Sequence, residues 1–311
     1  MAALASIWDG IPHETHRPRV SVVIPAVNEE RNLPYLASRM PRDIDEIVFV
    51  NGPSVDQTAE VARQLWPDGI HLSQTRRGKG NALACGFAEA SGDIIVMMDA
   101  DGSTCPTELP RFLGALISGA DFAKGSRFVQ GGGSADITRF RSFGNHGLVG
   151  IVNRLFSTKY TDLCYGFNAF WRHCLVHMWL PDIDAPLPQW GDGFEIETLI
   201  NLRVAAAGLS VAEVCSYEKA RMYGLSNLNA VGDGMRVLRT IQKEYARLRA
   251  CGESPRGDGN IVSTLDADVI IPEILSGLPE VVESQRSFEP HVINGAKVQA
   301  FVDKPADDRG A

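Results

Sequence analysis

The chain has 311 residues, of which 44% are hydrophobic and 22% charged, and a formal net charge of -8 at pH 7. That length holds one large or two modest folded units, each with a real core. The acidic balance excludes a general nucleic-acid binder, which needs a basic footprint. From Val20 onward, short apolar runs alternate with amphipathic stretches. Strands are predicted at 21–25, 46–51, 70–74 and 93–99, being brief, rich in Val, Ile and Met, and bounded by turn residues. Helices are predicted between them at 29–40, 56–66 and 80–90, the second with Ser54 or Asp56 as its N-cap. This rhythm predicts an α/β fold, a mostly parallel sheet with helices on both faces.

Later elements continue the pattern: a helix at 106–118, a strand at 121–125, a helix at 138–158, a strand at 165–171, a helix at 194–207 and a strand at 209–216. The loop GSRFVQGGGSAD reads as a mobile flap, because three successive glycines free the backbone. In 227–249, Val231, Met235, Leu238, Ile241, Tyr245 and Leu248 recur at helical spacing, opposite a face carrying Arg236, Arg239, Lys243, Arg247 and Arg249. That face either rests on anionic lipid or stays in water while the helix packs on the sheet. Residues 1–19 read as an N-terminal extension, 20–250 as a single main domain and 251–311 as a partly ordered C-terminal appendage with one apolar patch at 269–275. Six cysteines without C-x-x-C or zinc spacing read as reduced thiols. With no secretory signal and no apolar run near the ~18 residues of a membrane span, the expected location is the cytoplasm, free or peripheral at the inner face of a membrane.

In α/β sheets ligands collect beyond the carboxyl ends of the strands. Polar residues gather there in this chain: Pro25–Glu29 after the first strand, Asn51-Gly52 after the second and Asp99-Ala100-Asp101 after the fourth. An Asp-x-Asp at a strand end turns both carboxylates to one side. Together they can share Mg²⁺ or Mn²⁺, which takes one or two carboxylates and leaves room for phosphate oxygens; a capping Asp beside a turn Asp is the plainer alternative. Arg76, Arg77 and Lys79, set among glycines before a helix, suit a diphosphate through cations and free N–H groups, or form a solvated basic turn. His173 and His177, four apart, are a weaker metal pair with no third ligand in the pattern.

In order and spacing, PAVNEE (25–30), NGPSVDQT (51–58), RRGKGNA (76–82), DADGS (99–103), GSRF (125–128) and GFEIE (193–197) resemble family 2 glycosyltransferases, and among them the dolichol-phosphate mannose and glucose synthase-like group. The resemblance spans about residues 20–250. It implies a GT-A (Rossmann-like) catalytic domain, a nucleotide-diphosphate hexose donor such as GDP-mannose or UDP-glucose, a divalent cation, and inversion at the anomeric carbon. By the same resemblance Pro25, Asn28 and Glu29 line the nucleotide pocket, with Asn51 standing where the family usually has Asp. Lys79 meets the diphosphate, Asp99 and Asp101 hold the metal, and Arg221 and Ser226 close over the donor. Arg127, Arg139 and Arg141 grip an acceptor phosphate, with Asn145 where a serine often follows. The implied acceptor is a polyprenyl phosphate, already ionised. A soluble hydroxyl acceptor is the alternative, and it would need Asp192 or Glu195 as base; a non-catalytic nucleotide-sugar binder is a third reading. A nucleotidylyltransferase is disfavoured, since the first strand runs into PAVNEE rather than G-x-G-T-R-L.

Overall fold

The computed structural model describes residue 8, residues 17–224 and 230–252, and the backbone of 288–293 and 296–301. Its main sheet is built from β1 (Val20–Ala26), β2 (Glu46–Asn51), β3 (Ile70–Ser73), β4 (Ile94–Met97), β5 (Phe122–Ser126), β7 (Asn168–Trp171) and β8 (Val211–Cys215). Two short strands, β6 (Gly133–Ser134) and β9 (Tyr217–Glu218), pair separately and in parallel. The spatial order is β3-β2-β1-β4-β7-β5-β8, and only β7 runs antiparallel to its neighbours. The predicted, mostly parallel α/β sheet is therefore observed.

Alternation along β1 explains the two-sided core. Val22 and Ile24 face one apolar layer and Val23 the other, and each side chain so removed from water contributes about 1.5–3 kcal/mol. Helices α1 (Leu33–Arg39), α2 (Thr58–Leu65) and α4 (Leu109–Ile117) supply the first layer. The second comes from α3 (Lys79–Glu89), α5 (Arg139–Phe156), α6 (Leu175–Met178), α7 (Ile196–Ala206) and α8 (Ala230–Ala250). Helix α3 lies very close to β1: a Cβ on Gly86 would come within 2.3 Å of Val23 Cγ1.

Several expectations are revised. Helix α1 begins only at Leu33, with Pro34 in its first turn, because the N–H groups of Asn32 and Leu33 turn back onto Glu29 O. The cap of α2 is Gln57 by position, while Asp56 Oδ1 accepts the Thr58 N–H at 3.0 Å. The glycine run is docked rather than free: Gly133 N donates to Ser216 O at 3.2 Å, Ala135 N to Glu218 O at 2.8 Å, and the Ser134 hydroxyl to the Glu218 carboxylate. Helix α8 packs chiefly against α7 and α5. Of its apolar stripe, Ile241, Tyr245 and Leu248 pack inward, whereas Val231 and Met235 are 65% and 49% exposed. Of the expected appendage, an antiparallel hairpin of β10 (Phe288–Ile293) and β11 (Ala296–Phe301) is described; the apolar patch at 269–275 and Ser226 lie outside the described residues.

Sheet order fixes where a ligand can enter. The chain runs from β1 outward to β3 and then returns to place β4 on the other side of β1. Beyond the carboxyl ends of β1 and β4 lies the topological switch point, the usual binding crevice of such sheets.

Candidate active site

A cleft of about 1110 Å³ opens at that switch point. Its polar half is lined by Pro25, Asn28, Glu29, Gln74, Arg77, Lys79, Asp99, Asp101 and Arg221, so the ends of β1 and β4, the start of α3 and a distant strap share one wall. Asn28 has φ 58°, a left-handed conformation that Asn tolerates better than most residues. Its Oδ1 accepts the Val55 N–H at 2.8 Å, and Ser54 Oγ accepts the Asn28 N–H at 3.0 Å. Asn51 lies one step behind: its Oδ1 accepts from Ser54 Oγ at 2.9 Å, bracing the loop from outside the cleft lining.

Glu29 is buried, which pushes its carboxyl up to about 7 despite a hydrogen bond from Asn32 and the charge of Arg221. Both its oxygens are in use, Oε2 by Asn32 Nδ2 at 2.5 Å and Oε1 by Arg221 Nη1 at 3.2 Å. Lys79 Nζ sits 2.5 Å from Asp99 Oδ1 and 2.5 Å from Glu197 Oε1. Burial acts to lower its pKa, but the two carboxylates outweigh burial and hold the ammonium above its ordinary range. Burial also raises Glu197, with Lys79 pulling the other way.

The turn before α3 departs from expectation. Arg76 is spent on the 182–192 loop, with Nε and Nη2 on Asp192 at 2.9 and 2.8 Å and Nη1 on the carbonyls of Asp182 and Ala185. The N–H groups of Gly80 and Asn81 both donate to Asp192 O, at 2.8 and 3.1 Å. No room exists for a side chain at this crossing, since a Cβ on Gly80 would lie 1.7 Å from Gly191 O. Of the basic cluster, Arg77 and Lys79 face the cleft and Arg76 does not.

The second half of the cleft runs between α5 and α8, lined by Phe140, Arg141, Gly144, Leu148, Ile151, Val231 and Met235. Phe140 in that lining is 65% exposed, and Phe143, on the same helix but outside the lining, is 81% exposed. A Cβ on Gly144 or Gly147 would touch nothing within 4 Å, so the groove floor is open along α5.

The model of Glycosyl transferase family 2 matches residues 21–177. The chain belongs to this family. It is 32% identical over 227 residues to a polyprenol monophosphomannose synthase of Mycolicibacterium smegmatis, covering 69% of this chain and 83% of that one. To a dolichol-phosphate mannosyltransferase of Pyrococcus furiosus it is 36% identical over 152 residues, 47% of this chain, and the match spans less than half (43%) of that relative's length. A crystal structure of glucosyl-3-phosphoglycerate synthase from Mycobacterium tuberculosis, in complex with Mg²⁺ and uridine-diphosphate, superposes with TM-score 0.57 at 21% identity over 79% of this chain and 87% of that one. That likeness is one of fold, and the fold is GT-A.

In this family 2 glycosyltransferase the three arginines expected around an acceptor phosphate are not equivalent. Arg127 borders the cleft but is buried and forked onto Asp162, Nε to Oδ2 at 2.7 Å and Nη2 to Oδ1 at 3.0 Å, with Nη1 on Glu218 at 3.0 Å. Burial acts to raise the Asp162 carboxyl, but Arg127 outweighs it and holds that group below its usual range. Arg141 lines the cleft, with Nη1 3.4 Å from Asp136 Oδ2, while Arg139 is exposed outside the lining. Asn145 is buried and structural here, its amide spanning Thr161 O and the Leu163 N–H, each at 3.2 Å.

The two carboxylates expected as bases also turn elsewhere. Asp192 is locked to Arg76, and Glu195 Oε1 accepts the Gly191 N–H at 2.9 Å, closing the loop ahead of α7. Neither lines the cleft; Glu197, one helical step on, does. His173 bonds Asp121 Oδ1 at 3.0 Å, and among the described residues no group of three or more His, Cys, Asp or Glu is placed to cage a metal. Asp99 and Asp101 nonetheless fit a hard divalent ion. They supply two carboxylates on one rim of the cleft, paired here with Lys79 and Arg221, and Mg²⁺ or Mn²⁺ takes its remaining ligands from phosphate and water.

Proposed function

We propose that the protein is an inverting, metal-dependent hexosyltransferase that moves a hexose from a nucleotide-diphosphate donor, GDP-mannose or UDP-glucose, to a polyprenyl phosphate. The observation that carries this reading is the two-part cleft: a charged pole at Asp99, Asp101, Lys79 and Arg77 continues into an apolar groove between α5 and α8. A substrate with a phosphate head and a hydrocarbon tail suits both parts at once. The mycobacterial polyprenol monophosphomannose synthase and the archaeal dolichol-phosphate mannosyltransferase that the chain resembles support the same acceptor.

In this scheme the nucleotide lies across Pro25, Asn28 and Glu29, and its diphosphate faces Lys79 and Arg77. A divalent cation held by Asp99 and Asp101 would offset the negative charge that builds on the leaving diphosphate. Arg141, at the junction of the two halves, orients the acceptor phosphate with a guanidinium fork. Attack by a phosphate oxygen on the anomeric carbon, opposite the departing diphosphate, inverts that centre. No base is needed, because the phosphate is ionised. This fits the site, where the lining carboxylate Glu197 is held by Lys79, and Asp192 and Glu195 face away.

Among the described residues no helix is long and apolar enough to cross a membrane. Access to a lipid acceptor would come through the exposed rim of Phe140, Phe143, Val231 and Met235 resting on the cytoplasmic leaflet, with Arg139 and Arg236 near its headgroups. The test offers labelled GDP-mannose and UDP-glucose, with Mn²⁺ or with EDTA, to polyprenyl phosphate in detergent and to aqueous hydroxyl acceptors. Label entering the organic phase only with metal is expected. Transfer to aqueous acceptors alone, or turnover untouched by EDTA, would overturn the reading.

A further inference from the structure

Both carboxylates of the Asp99-Ala100-Asp101 turn are occupied by cations of the chain itself, and the two cations differ in how firmly they are held. Lys79 Nζ is clamped between Asp99 and Glu197 at 2.5 Å each and rises from the first turn of the buried helix α3. Arg221 reaches in from a strap: Nη2 lies 2.8 Å from Asp101 Oδ2 and Nη1 3.2 Å from Glu29 Oε1, with the side chain 21% exposed. The other oxygen of Asp101 accepts the Ser103 N–H at 2.9 Å. Each oxygen of Asp101 is therefore engaged, and the outward one faces a full positive charge, while Arg221 is in place.

A divalent ion on Asp101 would share Oδ2 with a guanidinium, bringing like charges together in a partly buried site. Arg221 has to leave for the ion to bind. A displaced guanidinium needs another anion, and a diphosphate presents the paired oxygens its fork matches. The strap allows this without refolding. Lys219 N donates to Ser103 O at 2.8 Å, Asn32 Nδ2 donates to Tyr223 O at 3.2 Å, and the Arg31 guanidinium lies 4.0 Å over the Tyr223 ring. The backbone on both sides of Arg221 is pinned, and the long side chain between the pins is the part that can swing.

We propose that Arg221 is a positioning residue that keeps Asp101 closed to free divalent cations and releases it only to a cation arriving with a nucleoside diphosphate, onto which Arg221 then moves. The proposal rests on the donor reading given above. It makes metal and nucleotide bind with positive coupling, each raising the affinity of the other by the same factor. Direct ligation of the ion by the diphosphate supplies part of that coupling, and the part carried by Arg221 is the share that its removal takes away while free-ion affinity rises.

The experiment titrates Mn²⁺ by its paramagnetic resonance signal, alone and with saturating UDP or GDP, on the full chain and on Arg221→Met and Arg221→Gln. The parent is expected to bind Mn²⁺ on the order of tenfold more tightly with one of the diphosphates than without. Both variants are expected to bind Mn²⁺ alone several-fold more tightly than the parent, and to show a coupling factor reduced toward one. Melting midpoints identify any variant that fails to fold, and the other substitution then carries the comparison. Variants that bind free Mn²⁺ no better than the parent, or that keep its full coupling, would overturn the role of Arg221 and leave the donor reading standing. A parent that takes up no Mn²⁺ with either diphosphate would remove the donor reading and the proposal together.

Discussion

Replacing Arg127 by Met separates a structural arginine from a substrate-binding one. In the folded protein its guanidinium is 5% exposed and forked onto Asp162, whose side chain is fully buried. Met fills similar space but leaves the Asp162 charge without its counter-ion, a loss worth about 3–5 kcal/mol. At roughly 2–4 °C per kcal/mol for a domain of this size, the melting midpoint falls by about 6–20 °C. Pairing it with Asp162→Leu removes the orphaned charge and recovers most of that loss. The pH dependence has a definite sign. In the parent, Arg127 holds the Asp162 pKa below its ordinary value. The stabilisation is therefore complete above about pH 4 and lost only as acid takes pH down through the folded pKa. In Arg127→Met burial is opposed only by the charge of Lys124 and by backbone N–H groups such as that of Cys164, so the Asp162 pKa rises and the variant regains stability as pH falls. Urea unfolding followed by far-ultraviolet circular dichroism at pH 7.5 and 5 reads both effects. An Arg127→Met protein within about 1 kcal/mol of the parent at pH 7.5 would refute this reasoning and return the guanidinium to the acceptor.

Arg76→Met and Asp192→Asn should each lower stability by about 1–3 kcal/mol, since both break a buried charge-assisted pair. Calorimetry should find nucleoside diphosphate affinity within about threefold of the parent, because neither side chain lines the cleft. Phe140→Ser with Phe143→Ser should weaken sedimentation with anionic vesicles by about tenfold while shifting unfolding by no more than about 0.5 kcal/mol; an unchanged sedimentation profile would detach this rim from any lipid role. Gly80→Ala forces a Cβ into the Gly191 carbonyl. It should cost about 1–3 kcal/mol by overpacking in a thermal melt, and a neutral melt would mean that the 189–193 loop yields freely.

Strands β1, β2 and β4 were legible because a buried parallel strand needs a continuous apolar run, and the polar residues that follow each run mark the crevice. Asp99, Asp101 and Glu29 could be located from that rule alone. What stayed hidden was partner choice. Sequence displays the charges of Arg76 and Arg127 but not the distant Asp192 and Asp162 that consume them, 116 and 35 residues away. The choice among Asp192, Glu195 and Glu197 was equally opaque. Helix α7 is buried almost all round, so no amphipathic phase identifies the carboxylate that faces the cleft. Exposed apolar residues misled in the opposite sense: the spacing of Val231 and Met235 is that of a core stripe, and periodicity does not distinguish a core from an open groove. Phe140 and Phe143, close to three glycines on one helix, were the overlooked sign that a helix face had been left uncovered.

The single reversed strand, β7, has a modular consequence. Inserted between β4 and β5, it ends the run of parallel βα units that supplies the nucleotide wall, apart from Arg221 and Glu197, from residues 25–103. What lies beyond it, including α5 and α8, can be rebuilt without disturbing the register of β1 against β2 and β4, provided that Glu197 and Arg221 are kept. A lineage could thus retain its donor while exchanging its acceptor, and recombination at about residue 105 is where such a graft would be cut.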